Sequence, residues 1–169
     1  MTEIGIRRAT LDDAAAIADI YTQGILDRIA TFETEPRTEE DIRKKLESDS
    51  ERHPTIVAEL DNTVIGAAWI SLYRPRECYA GIGEFSFYID RNARGKGVGQ
   101  MLLTALIDEA ERLGYWKLLS RVFTFNHASL NACKKQGFRE VGTYEKHAKL
   151  DGEWLDVVII ERMIRSNLT

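Results

Sequence analysis

The chain has little of several features that mark particular classes of protein. Only three prolines and two cysteines occur in 169 residues, and Cys78 and Cys133 lie far apart without the spacing of metal ligands. This pattern predicts reduced thiols in a cytoplasmic protein and no metal site. No apolar run approaches the length of a membrane span, and the first residues follow a strand pattern, not a signal peptide. We therefore expect no membrane partner.

Charge and composition narrow the class further. The net charge of −4 disfavours nucleic acid as the main partner and is compatible with a cationic amine. The sequence contains no low-complexity stretch and no internal repeat. Its 44% apolar and 30% charged residues suit a globular core. The length then predicts one domain over residues 1–169.

Apolar periodicity and turn residues predict an alternation of strands and helices. Strands are expected at residues 4–6, 55–60, 64–73, 84–89, 117–123, 138–149 and 154–163, with hairpin turns at 61–63 and 151–152. Helices are expected from Thr10 to about 23 and from Thr38 to about 50, each with a capping signal, and at 97–113 and 129–136. Hairpins at the front and back with helices between them fit an α/β (α+β) fold, with a mixed sheet flanked by helices on both faces.

The segment from residue 84 to residue 113 is the most informative. After the apolar strand come Arg94, Gly95, Lys96, Gly97, Val98 and Gly99, and then an amphipathic helix that ends before Gly114. Glycines let backbone N–H groups approach a ligand closely, and the helix start adds unpaired N–H groups and the positive end of a dipole. This arrangement predicts a phosphate or pyrophosphate site. The spacing fits neither a P-loop nor a dinucleotide fingerprint, and the alternative is a flexible loop with a surface Arg and Lys.

These residues resemble a known family. Arg94-x-x-Gly97-x-Gly99, between a strand and a helix, resembles the acetyl-CoA pyrophosphate loop of the GCN5-related N-acetyltransferases (GNAT). The segment 126–129 and the pair Gly137-Phe138 resemble a second motif of that family. Residues 31–36 and 151–157 resemble the phosphinothricin and methionine sulfoximine acetyltransferase branch. The resemblance covers nearly the whole chain and implies the GNAT fold with a mostly antiparallel central sheet.

The resemblance also implies which residues bind acetyl-CoA. The residues expected to contact it are Phe87, Tyr88 and Ile89 through their main chain, Arg94, Gly95, Lys96, Gly97, Val98 and Gly99 in the loop, and Asn126 and Ser129 beyond it. Main-chain N–H groups of the strand would stabilise the charge that develops on the thioester oxygen. The strand must then diverge from its neighbour, for which a β-bulge is one route. For Asn126 the alternative is a plain helix cap, and Ser129 is equally suited to the cap and to the cofactor.

An acetyltransferase for amines needs a base, because a free alkylamine is mostly protonated at neutral pH. Glu84 is the candidate, since it opens the apolar strand and matches a Glu in the phosphinothricin acetyltransferases. The alternative for Glu84 is a solvated carboxylate at the end of a strand. Cys133 stands where many family members have a Tyr acid, and we expect it to be a packed apolar group, so that the thiolate leaves unassisted or is protonated by water.

The acceptor pocket is predicted from the same resemblance. Phe32 and Glu33, between the first two helices, are expected to form one wall, and Tyr73 and Arg74 to reach the same region. Arg74 could pair with an acceptor carboxylate, or be an exposed loop arginine. The predicted function is direct acetyl transfer, in a ternary complex, to the primary amine of a small amino-acid-like acceptor such as phosphinothricin or methionine sulfoximine. The alternatives are another small amine, a protein N-terminus, or a CoA-binding regulatory domain without turnover. The resemblance implies a homodimer.

Overall fold

The computed structural model describes residues 3–169. Its elements follow one another as β1 (Gly5–Arg8), α1 (Ala14–Leu26), α2 (Glu39–Ser48), β2 (Thr55–Leu60), β3 (Thr63–Leu72), β4 (Ile82–Ile89), α3 (Val98–Arg112), β5 (Lys117–Phe123), α4 (His127–Lys135), β6 (Arg139–Leu150) and β7 (Glu153–Met163). The seven strands form one sheet in the order β1-β2-β3-β4-β5-β7-β6. Only β4 and β5 pair in parallel, so the predicted mixed, mostly antiparallel sheet is confirmed.

Several predicted boundaries differ from the structure. A short 3-10 turn at Leu11–Asp13 precedes α1, which continues to Leu26 and not to residue 23. Helix α4 begins at His127, two residues earlier than predicted. Strand β4 begins at Ile82, so Glu84 is its third residue and does not open it. The prediction missed Ile82 and Gly83 because a glycine next to a loop weakens the alternating pattern that marks a strand.

Helices pack on both faces of the sheet. Ala68, Ile70 and Phe85 pack with α3 on one face, whereas Ala67 and Trp69 pack with α1 on the other. Neighbouring residues of β3 therefore enter different cores, as the two-residue period of a strand requires. Among the helices of residues 3–169, none has both the length and the apolar character needed to cross a bilayer.

Glu109 of α3 forms two ion pairs at the edge of the core. Its Oε1 accepts hydrogen bonds of 2.6 Å from Nη2 of Arg112 and from Nη2 of Arg8 on β1. These bonds, the one from Arg112 foremost, lower the pKa of Glu109 from 4.5 to about 2. The side chain of Glu109 is only 20% exposed, so it ties β1 to α3 at the edge of the core.

We expect Glu109→Gln to lower the free energy of unfolding by about 1–2 kcal/mol at pH 7. This value is smaller than the pKa shift alone implies, because both arginines are half-exposed and solvent screens their interaction with Glu109. The folded carboxyl has a lower pKa than the unfolded one. Its contribution is therefore complete above pH 4.5 and disappears as the pH falls towards 2. Urea unfolding at several pH values tests this, with Asp108→Asn on the same helix as control. A difference that stayed constant between pH 7 and pH 3 would contradict the ion-pair explanation.

Candidate active site

The parallel strands β4 and β5 separate in the middle of the sheet. Their paired residues are Ile82 with Lys117, Gly83 with Leu118, and Glu84 with Leu119, and the pairing ends there. Strand β4 continues to Ile89 while it stays paired with β3 without any shift in register. The divergence that the sequence analysis required is thus produced by the strands parting after Glu84, and not by a β-bulge in β4.

The separation of β4 from β5 after Glu84 leaves a gap between the two strands, and some main-chain groups of β4 face this gap. The Oγ of Ser120 in β5 donates to the carbonyl oxygen of Phe85 at 2.9 Å, so the peptide groups of Phe85 face β5. Because orientation alternates along a strand, those of Phe87 and Ile89 face the same way. Asp90 lies an odd number of residues from Phe85, so its peptide groups face the other way. Its N–H donates to the carbonyl oxygen of Ile65 in β3 at 2.8 Å. The N–H groups of Phe87 and Ile89 therefore point into the gap, where they can stabilise a developing oxyanion.

The glycine loop follows β4 and opens α3 as predicted. Gly97 is the N-cap residue of α3 and has a left-handed backbone with φ of 80°. The loop and the gap together form a cleft of about 290 Å³. The predicted residues that line this cleft are Phe87, Tyr88, Ile89, Arg94, Gly95, Gly97, Val98, Gly99, Asn126 and Ser129. Lys96 is exposed and does not line the cleft, so its placement differs from that of its neighbours in the loop.

Arg94 is held in place by an ion pair beside the glycine loop. Its Nη2 lies 3.2 Å from Oδ2 of Asp27, just after α1, and Nη2 of Arg91 lies 2.8 Å from Oδ1 of the same carboxylate. Asp27 thus fixes two guanidinium groups beside the glycine loop. The positive charge of Arg94 therefore lies at the cleft, close to the N-terminus of α3. An anion bound there would interact with both.

Asn126 is the N-cap residue of α4, and its Oδ1 accepts a hydrogen bond of 3.3 Å from the N–H of Ser129. Ser129 is therefore the capped residue and not the cap. Both residues line the cleft. Cys133, one turn further along α4, is 1% exposed and packs into the core, and burial raises its pKa to about 12. It does not line the cleft, as expected for a packed apolar group.

A second cavity, of about 540 Å³, adjoins the cleft at Ala30 and Tyr88. Glu84 lies in this cavity together with Phe32 and Glu33. Phe32 packs edge-on against Phe123 of β5 with ring centroids 4.8 Å apart. The Glu33 carboxylate is already engaged, because Tyr21 donates to it and Arg37 forms an ion pair with it. Glu33 thus shapes this wall of the cavity, with its charge already neutralised.

Tyr73 and Arg74 line a separate, smaller cavity of about 260 Å³. The guanidinium of Arg74 lies over the ring of Tyr73, 5.1 Å from its centroid. We expected these two residues to reach the same region as Phe32 and Glu33. The structure places them in a neighbouring cavity that shares two lining residues with the cavity of Phe32 and Glu33. The two cavities meet at Glu84 and at Arg121 of β5, which line both.

Tyr88 belongs to an aromatic stack on the α1 side of the sheet. Its ring stacks on those of Tyr21 and Trp69, with centroids 4.8 and 5.5 Å away. Burial raises the pKa of Tyr88 to about 12 and raises that of Tyr21 as well. Both phenols therefore stay protonated at neutral pH and remain hydrogen-bond donors. The stack packs against the middle of β4, next to the N–H groups that face the gap.

The structure adds residues that sequence reasoning missed. Arg121 forms an ion pair with Glu84, its Nη2 lying 3.2 and 3.1 Å from the two carboxylate oxygens. The signal was an arginine in the middle of β5, next to the apolar pair Val122 and Phe123. His147 also lines the larger cavity. An irregularity in β6 between Tyr144 and Ala148 brings it there, and Lys146 within it has a left-handed φ of 47°.

Known proteins resemble this chain in sequence and in fold. A family model described as "Acetyltransferase (GNAT) family" matches residues 19–138. Phosphinothricin N-acetyltransferase of Alcaligenes faecalis is 32% identical over 94% of this chain and 81% of its own. The crystal structure of a ribosomal-protein-alanine N-acetyltransferase from Brucella melitensis has a TM-score of 0.91 and 32% identity, with 95% of this chain and 99% of the other covered. A GNAT superfamily phosphinothricin acetyltransferase from Sinorhizobium meliloti, solved in complex with AcCoA, has a TM-score of 0.89 and 28% identity, with 95% and 88% covered.

Proposed function

The chain belongs to the GNAT family and is an N-acetyltransferase, and we propose that it moves an acetyl group from acetyl-CoA directly to the primary amine of a small amino-acid-like acceptor. One observation carries this proposal. The gap beside β4 opens on one side to the glycine loop and on the other to a cavity that contains a carboxylate, Glu84. A cofactor and an amine acceptor that enter from the two sides would meet at the N–H groups of Phe87 and Ile89.

Acetyl-CoA supplies an acetyl group activated as a thioester, and the chain supplies its binding site. Main-chain N–H groups of residues 95–99 and the start of α3 bind the pyrophosphate, with Arg94 beside them. Asn126 and Ser129 lie along the cleft, where the pantetheine arm would run. Lys96 is exposed, so in this proposal it contributes its main-chain N–H and long-range charge. The S. meliloti relative was solved with AcCoA, which supports the same ligand here.

In the transfer step, Glu84 accepts a proton from the ammonium group of the acceptor, directly or through water. The free amine nitrogen then attacks the carbonyl carbon of the thioester. The N–H groups of Phe87 and Ile89 stabilise the negative charge that develops on the carbonyl oxygen. A C–N bond forms and the C–S bond breaks. The nitrogen releases its second proton to water, and the thiolate leaves as the anion or takes a proton from water. Cys133 is too deeply packed to protonate it.

A panel of amines tests the proposal. Thiol release from acetyl-CoA is measured with L-phosphinothricin, L-methionine sulfoximine, a peptide that begins with alanine, and a simple alkylamine. We expect the two amino acids to give the highest kcat/KM and initial-rate lines that intersect, as direct transfer in a ternary complex requires. Parallel lines would contradict direct transfer. The peptide is the second candidate acceptor, favoured by the similarity to the B. melitensis enzyme, and acetylation of the peptide alone would overturn the amino-acid proposal.

We also propose that residues 1–169 form a single domain, that the protein is cytoplasmic, and that it forms a homodimer. The single sheet that joins all seven strands supports the first proposal. The two free cysteines are compatible with a reducing compartment.

Apolar side chains are about half-exposed on the β6–β7 edge, at Val141, Tyr144 and Trp154, and would suit contact between two copies. Light scattering after gel filtration distinguishes a monomer from a dimer.

A further inference from the structure

The ion pair between Glu84 and Arg121 lies where the two acceptor cavities meet. Glu84 is in β4 and Arg121 in β5, and the two residues are 37 positions apart in sequence. Their side chains are 28% and 48% exposed, so solvent and small solutes reach both. Both residues line the larger and the smaller cavity. An acceptor that fills these cavities must therefore touch the pair.

We propose that Arg121 binds the carboxylate of the acceptor while Glu84 receives its amine, so that the pair selects free α-amino acids. This inference rests on the proposed acetyl transfer and names its substrate class. Peptide N-termini and plain amines lack the α-carboxylate and would leave Arg121 without a negative partner once Glu84 is protonated. Arg121 is then a residue that determines specificity by touching the substrate, distinct from the base.

The first argument is geometric. The amine and the carboxylate of an α-amino acid are attached to one carbon atom, so the groups that bind them must be neighbours. The Nη2 of Arg121 lies 3.1 and 3.2 Å from the oxygens of Glu84, which makes the two side chains direct neighbours. Arg74 lines the smaller cavity and lies against Tyr73. It is therefore better placed for the far end of an acceptor than for its α-carboxylate.

The second argument concerns charge. When Glu84 takes a proton from the ammonium group it becomes neutral, and Arg121 loses its counter-charge. Glu33 does not replace it, because Tyr21 and Arg37 already neutralise that carboxylate. A carboxylate on the acceptor restores the missing negative charge beside the guanidinium and can do so bidentately. The proton transfer is thus more favourable for an acceptor that carries its own anion.

The experiment compares two acceptors that differ by the carboxylate alone. L-Methionine sulfone and 3-(methylsulfonyl)propylamine have the same uncharged distal group. We expect the wild type to prefer the amino acid in kcat/KM. Arg121→Gln should lower kcat/KM for the amino acid by about 10- to 100-fold, the effect of losing a charge-assisted hydrogen bond, mostly through KM. For the amine it should leave kcat/KM unchanged or raise it, because Glu84 is released from its partner.

Arg139→Gln is the matched control, because Arg139 forms an exposed ion pair with Glu161 outside both cavities. It should leave the preference unchanged. Thermal melting checks that each variant folds. Equal losses for both acceptors in Arg121→Gln, or loss of the preference in Arg74→Gln instead, would overturn the assignment of Arg121 while leaving acetyl transfer intact. If the wild type binds acetyl-CoA but acetylates neither compound, the proposed acceptor class fails and Arg121 fails with it.

Discussion

Replacement of Glu84 by glutamine is expected to lower kcat/KM for the amine acceptor by about 10²- to 10⁴-fold, the usual contribution of a general base. Glutamine keeps the size of the side chain and cannot accept the ammonium proton. Glu84 lies on the acceptor side of the gap, so the dissociation constant of acetyl-CoA should stay within about twofold of the wild type. Steady-state rates and calorimetry with acetyl-CoA measure the two quantities.

The pH profile separates a lost base from a damaged site. An alkylamine loses its own proton at high pH, so the activity of Glu84→Gln should rise towards the wild-type value as the pH approaches the pKa of the amine, about 10. A variant with a distorted site would stay slow at every pH. Glu140→Gln, on the exposed strand β6, is the control for the loss of a surface carboxylate. Unchanged turnover of Glu84→Gln at neutral pH would remove Glu84 from its role.

Replacement of Gly97 by alanine is expected to weaken acetyl-CoA binding by about 30-fold, or about 2 kcal/mol. Gly97 has a φ of 80°, and a Cβ added there meets no atom within 4 Å, so it would project into open space at a residue that lines the cleft. A methyl group at that point would hold a pyrophosphate away from the main-chain N–H groups. Each charge-assisted hydrogen bond that is lost weakens binding by about 1.5–3 kcal/mol.

Gly114 provides a matched control at the other end of α3. It also has a left-handed backbone, with φ of 88°, and an added Cβ there also meets nothing within 4 Å. Both alanine variants should lose about 1–2 kcal/mol of stability through backbone strain. Only Gly97→Ala should lose affinity for acetyl-CoA, as measured by calorimetry. An equal affinity loss in both variants would show that strain, and not contact with the ligand, causes the effect.

Local patterns predicted much of the fold. The turn at Asp61-Asn62 has the left-handed backbone that its residue types favour, and Thr38 caps α2 through the N–H of Asp41 as expected. Strand β5 was predicted with its observed ends. These features depend on residues close together in the chain, because caps, turns and alternation are set by neighbouring side chains and by backbone dihedral angles.

The acceptor side of the site could be predicted only in part. Phe32, Glu33 and Glu84 were identified from resemblance, and the structure brings them into one cavity. Tyr73 and Arg74, which were expected to reach the same region, line an adjoining cavity that meets the first at Glu84. The sequence could not separate the two cavities, because the direction in which a loop leaves a strand depends on what packs against it. His147 reaches the larger cavity through an irregularity in β6, which the sequence pattern of an exposed edge strand does not reveal.

The amino-acid sequence by itself determined the glycine loop, the helix that follows it and the carboxylate in the strand before it, because each depends on short-range periodicity and backbone freedom. Only the tertiary structure decided that β4 and β5 part after Glu84, that the N–H groups of Phe87 and Ile89 face the gap, and that Arg121 meets Glu84. Strand pairing and register join distant parts of the chain, and the free energy that selects them comes from the packing of the whole sheet.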